Sequence, residues 1–260
     1  MPTKEIQGKL WSVAPTYWSK HFEPHFLPLY KTAFRQIPLT NETALLDAGC
    51  GSGLFLHLAF KAGASVIGID AAPGLLKLAR ERNPGINILE EDLESMPFAA
   101  NYFDVVTGFN SFQYAGDFAN ALREAVRVLR PGGKLVIGLW DKPEASEATN
   151  ILKAIGTLLP PPPPGTPGPF ALSEDGKVEA VFEEIGIRLV SRTKVACPFL
   201  YYSLEDAVQS FMGTGPAALA LNQVSRETVV TTIAKAMEPY AVADGMHHLQ
   251  NSFLLFVAEK

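Results

Sequence analysis

From residue 44 onward two hydrophobic periods take turns along the chain. ALLDA (44–48), SVIGID (65–70), INILEED (86–92), YFDVVTGF (102–109) and KLVIGLW (134–140) are near-continuous apolar runs of strand length. Helical spacing fills the gaps between most of them. LFLHLAFKAG (54–63) stops at Gly63, GLLKLARER follows Pro73 and ends near Asn83-Pro84, and residues 117–130 form an amphipathic stretch before a Pro-Gly-Gly turn. Strand and helix patterns in alternation predict βαβ units with right-handed crossovers. The expected fold class is α/β: a doubly wound, mostly parallel seven-stranded sheet of Rossmann-like type, with ligands at the carboxyl ends of the strands.

The regular alternation is flanked by less regular sequence. Residues 1–40 carry Trp11, Tyr17, Trp18, Phe22, Phe26, Tyr30 and Phe34 at mostly helical spacing, interrupted by Pro24 and Pro28. Residues 159–170 (LPPPPPGTPGPF) favour extended polyproline geometry. A helix over 174–186, a strand over 187–199, two or three helices within 203–240 and a strand at SFLLFVAEK follow, and the two late strands can pair. The expected division is an N-terminal helical lid (1–40), an α/β domain (41–200 and 250–260) and a helical insertion acting as a substrate cap (201–249).

Composition narrows the partners. Lys and Arg number 22 against 27 Asp and Glu, a net charge of −5, with no basic cluster, so nucleic acid is not the expected partner. Two cysteines far apart, Cys50 and Cys197, point to a reducing cytoplasm rather than a disulfide framework. No apolar run reaches the ~18 residues of a membrane span, and the first residues lack a signal-peptide core. No metal is expected: His21 and His25 lack a glutamate directly after the first histidine, and Pro24 disturbs the helix such a site needs.

The chemistry concentrates in LLDAGCGSG (45–53). Gly49, Gly51 and Gly53 alternate in a turn between strand and helix, where glycine lets the backbone approach a ligand. A dinucleotide fingerprint requires a further glycine at 54 or 56, and both positions are leucine. A nicotinamide-dependent oxidoreductase is therefore the weaker alternative. Asp47, at the strand end, repels a pyrophosphate and suits a cationic ligand without phosphate. Asp70 closes the second strand 19 residues after Gly51, at the spacing of an acid that accepts from both ribose hydroxyls.

With these residues the chain resembles the class I S-adenosylmethionine-dependent methyltransferases, in particular the small-molecule group. LLDAGCGSG, VIGID, EEDLESMPF, FDVVTGFNSFQY and VLRPGGKLVI carry the resemblance in this order across residues 40–142. It implies S-adenosyl-L-methionine as cofactor. Gly49, Gly51 and Gly53 would line its methionine and ribose parts with Asp47 nearby. Asp70 would bind the ribose and Ala71 flank the adenine. Asp92 would accept from the adenine amino group, and Leu93 would offer its amide. Asn110 would sit near the sulfonium and the acceptor.

Methyl transfer from an activated sulfonium needs positioning and exclusion of water more than acid–base chemistry, so no catalytic residue is assigned. Tyr17 and Trp18 are candidates to face the ligand. Phe199, Tyr201, Tyr202 and Phe211 either line an apolar acceptor pocket or seal the insertion onto the sheet. A small-molecule methyltransferase is the expected function, with a non-catalytic binding module as a further alternative. The acceptor, its reacting atom and the oligomeric state are left open.

Overall fold

The computed structural model describes residues 3–161 and 169–260. Four helical pieces open the chain: α1 (Thr3–Trp11), the short α2 (Pro15–Tyr17), a π turn over Trp18–Phe22 and a 3₁₀ turn over Glu23–Phe26, which runs into α3 (Leu27–Gln36). Pro24 and Pro28 each occupy the first turn of a new piece, where a missing N–H costs nothing, so the prolines segment the helix without breaking it.

The alternating region then runs β1 (Ala44–Ala48), α4 (Leu54–Lys61), β2 (Ser65–Asp70), α5 (Pro73–Arg82), β3 (Asn87–Glu90), β4 (Phe103–Phe109), α6 (Phe118–Val128) and β5 (Leu129–Trp140). Pro73 starts α5, and Asp117 caps α6 by accepting from the Asn120 amide at 2.9 Å. One boundary differs from the expectation. The Pro-Gly-Gly turn does not precede the fifth strand but lies within it. Leu129 already pairs with Phe103, and the register slips before Lys134 meets Val105, so the turn is a bulge.

After β5 come α7 (Ala148–Gly156), α8 (Lys177–Glu184), β6 (Arg188–Ala196), β7 (Phe199–Tyr201), α9 (Leu204–Met212), α10 (Gly215–Ala220), α11 (Arg226–Met237), β8 (His247–Leu249) and β9 (Ser252–Glu259). The polyproline reading of 159–170 falls largely on residues outside those described. Seven strands form one sheet in the order β3-β2-β1-β4-β5-β9-β6, parallel except where β9 pairs antiparallel with β5 and β6. The β7–β8 pair joins the two ends of the segment that carries α9, α10 and α11. This is the Rossmann-like methyltransferase architecture.

The central strands are apolar on both faces because both are covered. Leu45, Val105, Val136 and Leu255 enter one core with the N-terminal helices and α9–α11. Leu46, Val106, Ile137 and Leu254 enter the other, with α6 and α8. Strand order reverses between β1 and β4, so the cleft at their carboxyl ends lies at the topological switch point.

Candidate functional site

At that switch point lies an open cleft. Gly49, Gly51, Asp70, Ala71, Asp92, Leu93 and Asn110 line it together. The glycine turn and Asp70 are directly joined: the Gly51 amide donates to Asp70 Oδ2 at 2.8 Å, and the Ala72 amide to Oδ1 at 2.8 Å. Asp70 is therefore held by two backbone amides while remaining half-buried at the cleft wall. Desolvation raises its carboxyl above the usual range, and the amides partly counter that.

Two expected cofactor contacts lie elsewhere. Asp47 is buried beneath the cleft, 1% exposed, with Oδ1 accepting from Thr107 Oγ1 at 2.8 Å. It projects from the same face of β1 as Leu45, beside its cross-strand neighbour Thr107, and is covered by the N-terminal helices rather than standing in the mouth. No cation compensates it; burial, helped by Glu23 and Asp70, pushes its carboxyl up to about 7. Gly53 also turns away from the cleft. A β-carbon there would stand 2.7 Å from Asn83 Nδ2 and 3.0 Å from Ala79 Cβ, so this glycine lets α4 pack on α5. Gly49 shows the same logic toward β4: a β-carbon would fall 2.2 Å from Ser111 Cβ. Only Gly51 has room above it, with Glu23 Oε1 and Trp18 Nε1 each 3.6 Å from where its β-carbon would be.

The N-terminal pieces complete the cleft. Thr3, Lys4, Gln7 and Trp11 of α1 line it, as does Trp18, whereas Tyr17 points outward and accepts a hydrogen bond from Arg226 at 3.1 Å. Trp11 and Trp18 are seven apart in a segment of helical spacing, which could have linked them as a pair. Tyr114 and Glu94 also line the cleft and were not singled out in the sequence. Among the lining residues are three carboxylates, Asp70, Asp92 and Glu94, and one cation, Lys4. The wall therefore favours a positively charged ligand.

A buried network fastens the π turn under the glycine loop. Glu23, 3% exposed, accepts from Arg82 Nη1 at 2.7 Å and from the Ser52 hydroxyl. Arg82 also donates to the Ser52 carbonyl at 2.9 Å and to Ser19 Oγ at 2.9 Å. Burial raises the Glu23 carboxyl despite the Arg82 charge beside it. Nothing in local sequence pairs residues 59 positions apart.

The remaining candidates have structural partners. His25 engages the Phe22 and Leu200 carbonyls at 3.2 and 3.1 Å, and His21 faces Asp206. Phe199, Tyr201 and Phe211 are buried and seal α9 onto the π turn, with Phe22 5.3 Å from Phe199 and 5.7 Å from Phe211. Tyr202 is exposed at 81%. Among the described residues no helix is long and apolar enough to cross a membrane.

Comparison with known proteins agrees with this architecture. Residues 46–137 match the model of a methyltransferase domain family. The chain is 35% identical over 99 residues to demethylmenaquinone methyltransferase of Renibacterium salmoninarum, covering 38% of this chain and 42% of that protein. It is 38% identical over 92 residues to malonyl-[acyl-carrier protein] O-methyltransferase of Serratia marcescens, covering 35% and 36%. The chain thus spans about two fifths of the length of these relatives. A solved S-adenosylmethionine-dependent methyltransferase from Aquifex aeolicus shares the fold, with a TM-score of 0.57 at 16% identity over 95% of this chain and 98% of that one. Residues 46–137 are thus similar in sequence to a methyltransferase domain, and the fold of the chain is shared with a solved S-adenosylmethionine-dependent methyltransferase.

Proposed function

We propose that this protein transfers the methyl group of S-adenosylmethionine to a small-molecule acceptor. The observation that carries the reading is the bond between Gly51 and Asp70 on the wall of one cleft whose lining charge is mainly acidic. The residues suit the cofactor. The cleft joins carboxylates to aromatic side chains, and the amide of Asn110 keeps a buried donor without a partner among the described residues. When bound, the cofactor supplies a methyl group already activated on a sulfonium.

The chain's own residues bind and orient. Asp70, its carboxylate fixed by two amides, has lone pairs left for the ribose hydroxyls. Ala71 flanks the adenine, Asp92 accepts from its amino group, and Leu93 offers a backbone amide. Gly51 leaves room for the methionine part, Gly49 lines the same wall, and Asn110 stands where cofactor and acceptor meet. Asp47 acts through its field from below, and Gly53 only through packing. Residues 1–40 act as a lid, with Trp11 and Trp18 keeping water from the transfer, and residues 201–249 cap the acceptor side. The buried, unpaired thiols of Cys50 and Cys197 suit a cytoplasmic setting.

The acceptor does not follow from the relatives. They are named for two unlike acceptors, and the matched family segment ends at residue 137, before much of the wall beyond Asn110 begins. Isothermal titration with S-adenosylmethionine and S-adenosylhomocysteine tests the reading. Both should bind, and Asp70→Ala should weaken each by about 10–100-fold, the worth of hydrogen bonds to a charged group. Absence of binding at millimolar cofactor would overturn the reading, and an unchanged affinity in the variant would overturn the ribose role of Asp70.

A further inference from the structure

We propose that the hollow beyond Asn110 is the acceptor subsite and that it takes a flat, uncharged aromatic molecule bearing a hydroxyl or carbonyl oxygen. The inference rests on the functional reading above, because it places the acceptor beside the cofactor cleft. Two hollows meet at this point. Trp11, Trp18, Asn110 and Tyr114 line both, so a molecule in one touches the same side chains as a molecule in the other.

The two hollows differ in chemistry. The first holds Lys4, Asp70, Asp92 and Glu94, whereas among the described residues no Asp, Glu, Lys, Arg or His lines the second. Phe22 and Trp140 extend the aromatic wall there, and Leu152 of α7 and Pro216 of α10 close it, so a ring enters only as these side chains part. A carboxylate or phosphate entering this space would lose its hydration without meeting a counter-charge, a cost that uncharged acceptors avoid.

Ring geometry favours a flat guest. Trp18 stacks on Phe22 at 4.8 Å with planes 14° apart, and Trp11 meets Trp18 edge-on at 4.8 Å and 75°. Trp11 also stands edge-on to Tyr114 at 5.6 Å. The wall is thus a set of rings at mutual angles, which a further ring can join in the offset or edge-to-face arrangements that aromatic pairs prefer.

The polar groups call for an oxygen. Asn110 is held at φ 51°, in the left-handed region, at the end of β4. Its Oδ1 accepts from Gln113 Nε2 at 3.3 Å, while its Nδ2 is buried and without a partner among the described residues. Thr214 spends its own proton on the Phe211 carbonyl at 2.7 Å, which leaves its oxygen as an acceptor. A free donor at Asn110 and a free acceptor at Thr214 match a phenolic hydroxyl, and the donor alone matches a carbonyl. In the transfer, the acceptor's oxygen or activated ring carbon bonds to the methyl carbon as the sulfur–methyl bond breaks. The bonding pair stays on sulfur, and the acceptor's proton passes to bulk solvent as the methylated product leaves.

Three matched probes test this by calorimetry with the protein saturated in S-adenosylhomocysteine at pH 7.5: 2-naphthol, 2-naphthoate and decahydro-2-naphthol. We expect 2-naphthol to bind at least about tenfold tighter than either of the others, a difference of about 1.4 kcal/mol. Leu152→Lys should narrow or reverse the preference over 2-naphthoate, with its S-adenosylhomocysteine isotherm as the check on folding, and Pro216→Lys serves if that variant fails the check. Equal or tighter binding of 2-naphthoate overturns the uncharged class, and equal or tighter binding of the saturated alcohol overturns the aromatic one. If S-adenosylhomocysteine binds and 2-naphthol does not, this inference fails alone. If S-adenosylhomocysteine itself does not bind to wild-type protein, the functional reading fails and takes the inference with it.

Discussion

Asp47 is a carboxyl group with Thr107 as its hydrogen-bonding partner and no cation to offset its burial. Its folded-state pKa of about 7 stands above the 3.8 of a free aspartate, so between those values the folded protein binds more protons than the unfolded chain. The stabilisation this gives is complete at low pH and is lost as pH rises toward 7. Asp47→Asn removes the titration while keeping an oxygen for Thr107. Calorimetric melting from pH 5 to pH 8 should therefore show the variant gaining on wild type as pH rises, and a constant difference would refute the shift. Single residues are also where sequence reading is weakest. The spacing of acid and glycines in LLDAGCGSG marks the turn, but not which side chains face the ligand. Asp47 and Gly53 belong to the same motif as Gly51, yet one is buried beside Thr107 on a covered face of the sheet and the other lies against α5, because facing depends on partners distant in sequence.

At the scale of elements, the segment from α1 to α3 is held on the sheet from both ends. Gly8 lets α1 lie against the loop after β2, where a β-carbon would come 2.3 Å from the Ala71 carbonyl oxygen. The Glu23–Arg82 pair ties the 3₁₀ turn to α5, with the carboxylate 4% and the guanidinium 26% exposed. Removing one partner of such a pair is more harmful than the pair is helpful, because the other charge stays buried. Arg82→Met should cost about 3 kcal/mol in urea unfolding, the low end for a buried pair because the guanidinium is partly exposed. The loss should be larger at pH 8 than at pH 5: an unpartnered Glu23, its pKa already raised by burial, escapes part of the penalty by taking a proton. An equal loss at both pH values would show that the packing of Arg82, not its charge, holds the element. Helical spacing and aromatic content made the segment legible as helix, but its docking rests on Ser19, Glu23, Ser52 and Arg82, four polar residues that no period connects.

Across the whole molecule, the parallel part of the sheet follows from local alternation: each strand is succeeded by the cover of its own face, so order and handedness are nearly dictated by the chain. The antiparallel part is not. SFLLFVAEK reads as a strand and its pairing with the strand at 187–199 can be anticipated, but β9 also inserts between β5 and β6, a choice that depends on contacts more than a hundred residues apart. That position makes the last strand a central one. Phe253, Leu254, Leu255, Phe256 and Val257 are each at most 2% exposed and are shared between the two cores. At about 1.5–3 kcal/mol for each large apolar side chain buried, their loss matches the roughly 5–15 kcal/mol that holds a typical domain folded. Deleting residues 252–260 should therefore abolish cooperative unfolding and leave β5 as an open edge prone to aggregation. Deleting residues 1–11 should leave a cooperative melt, because α1 contributes no strand and lies over the cleft from outside. Circular dichroism melts of the two truncations separate these outcomes, and a cooperative transition in the first would mean that the sheet is stable at β5 without the strands that follow it.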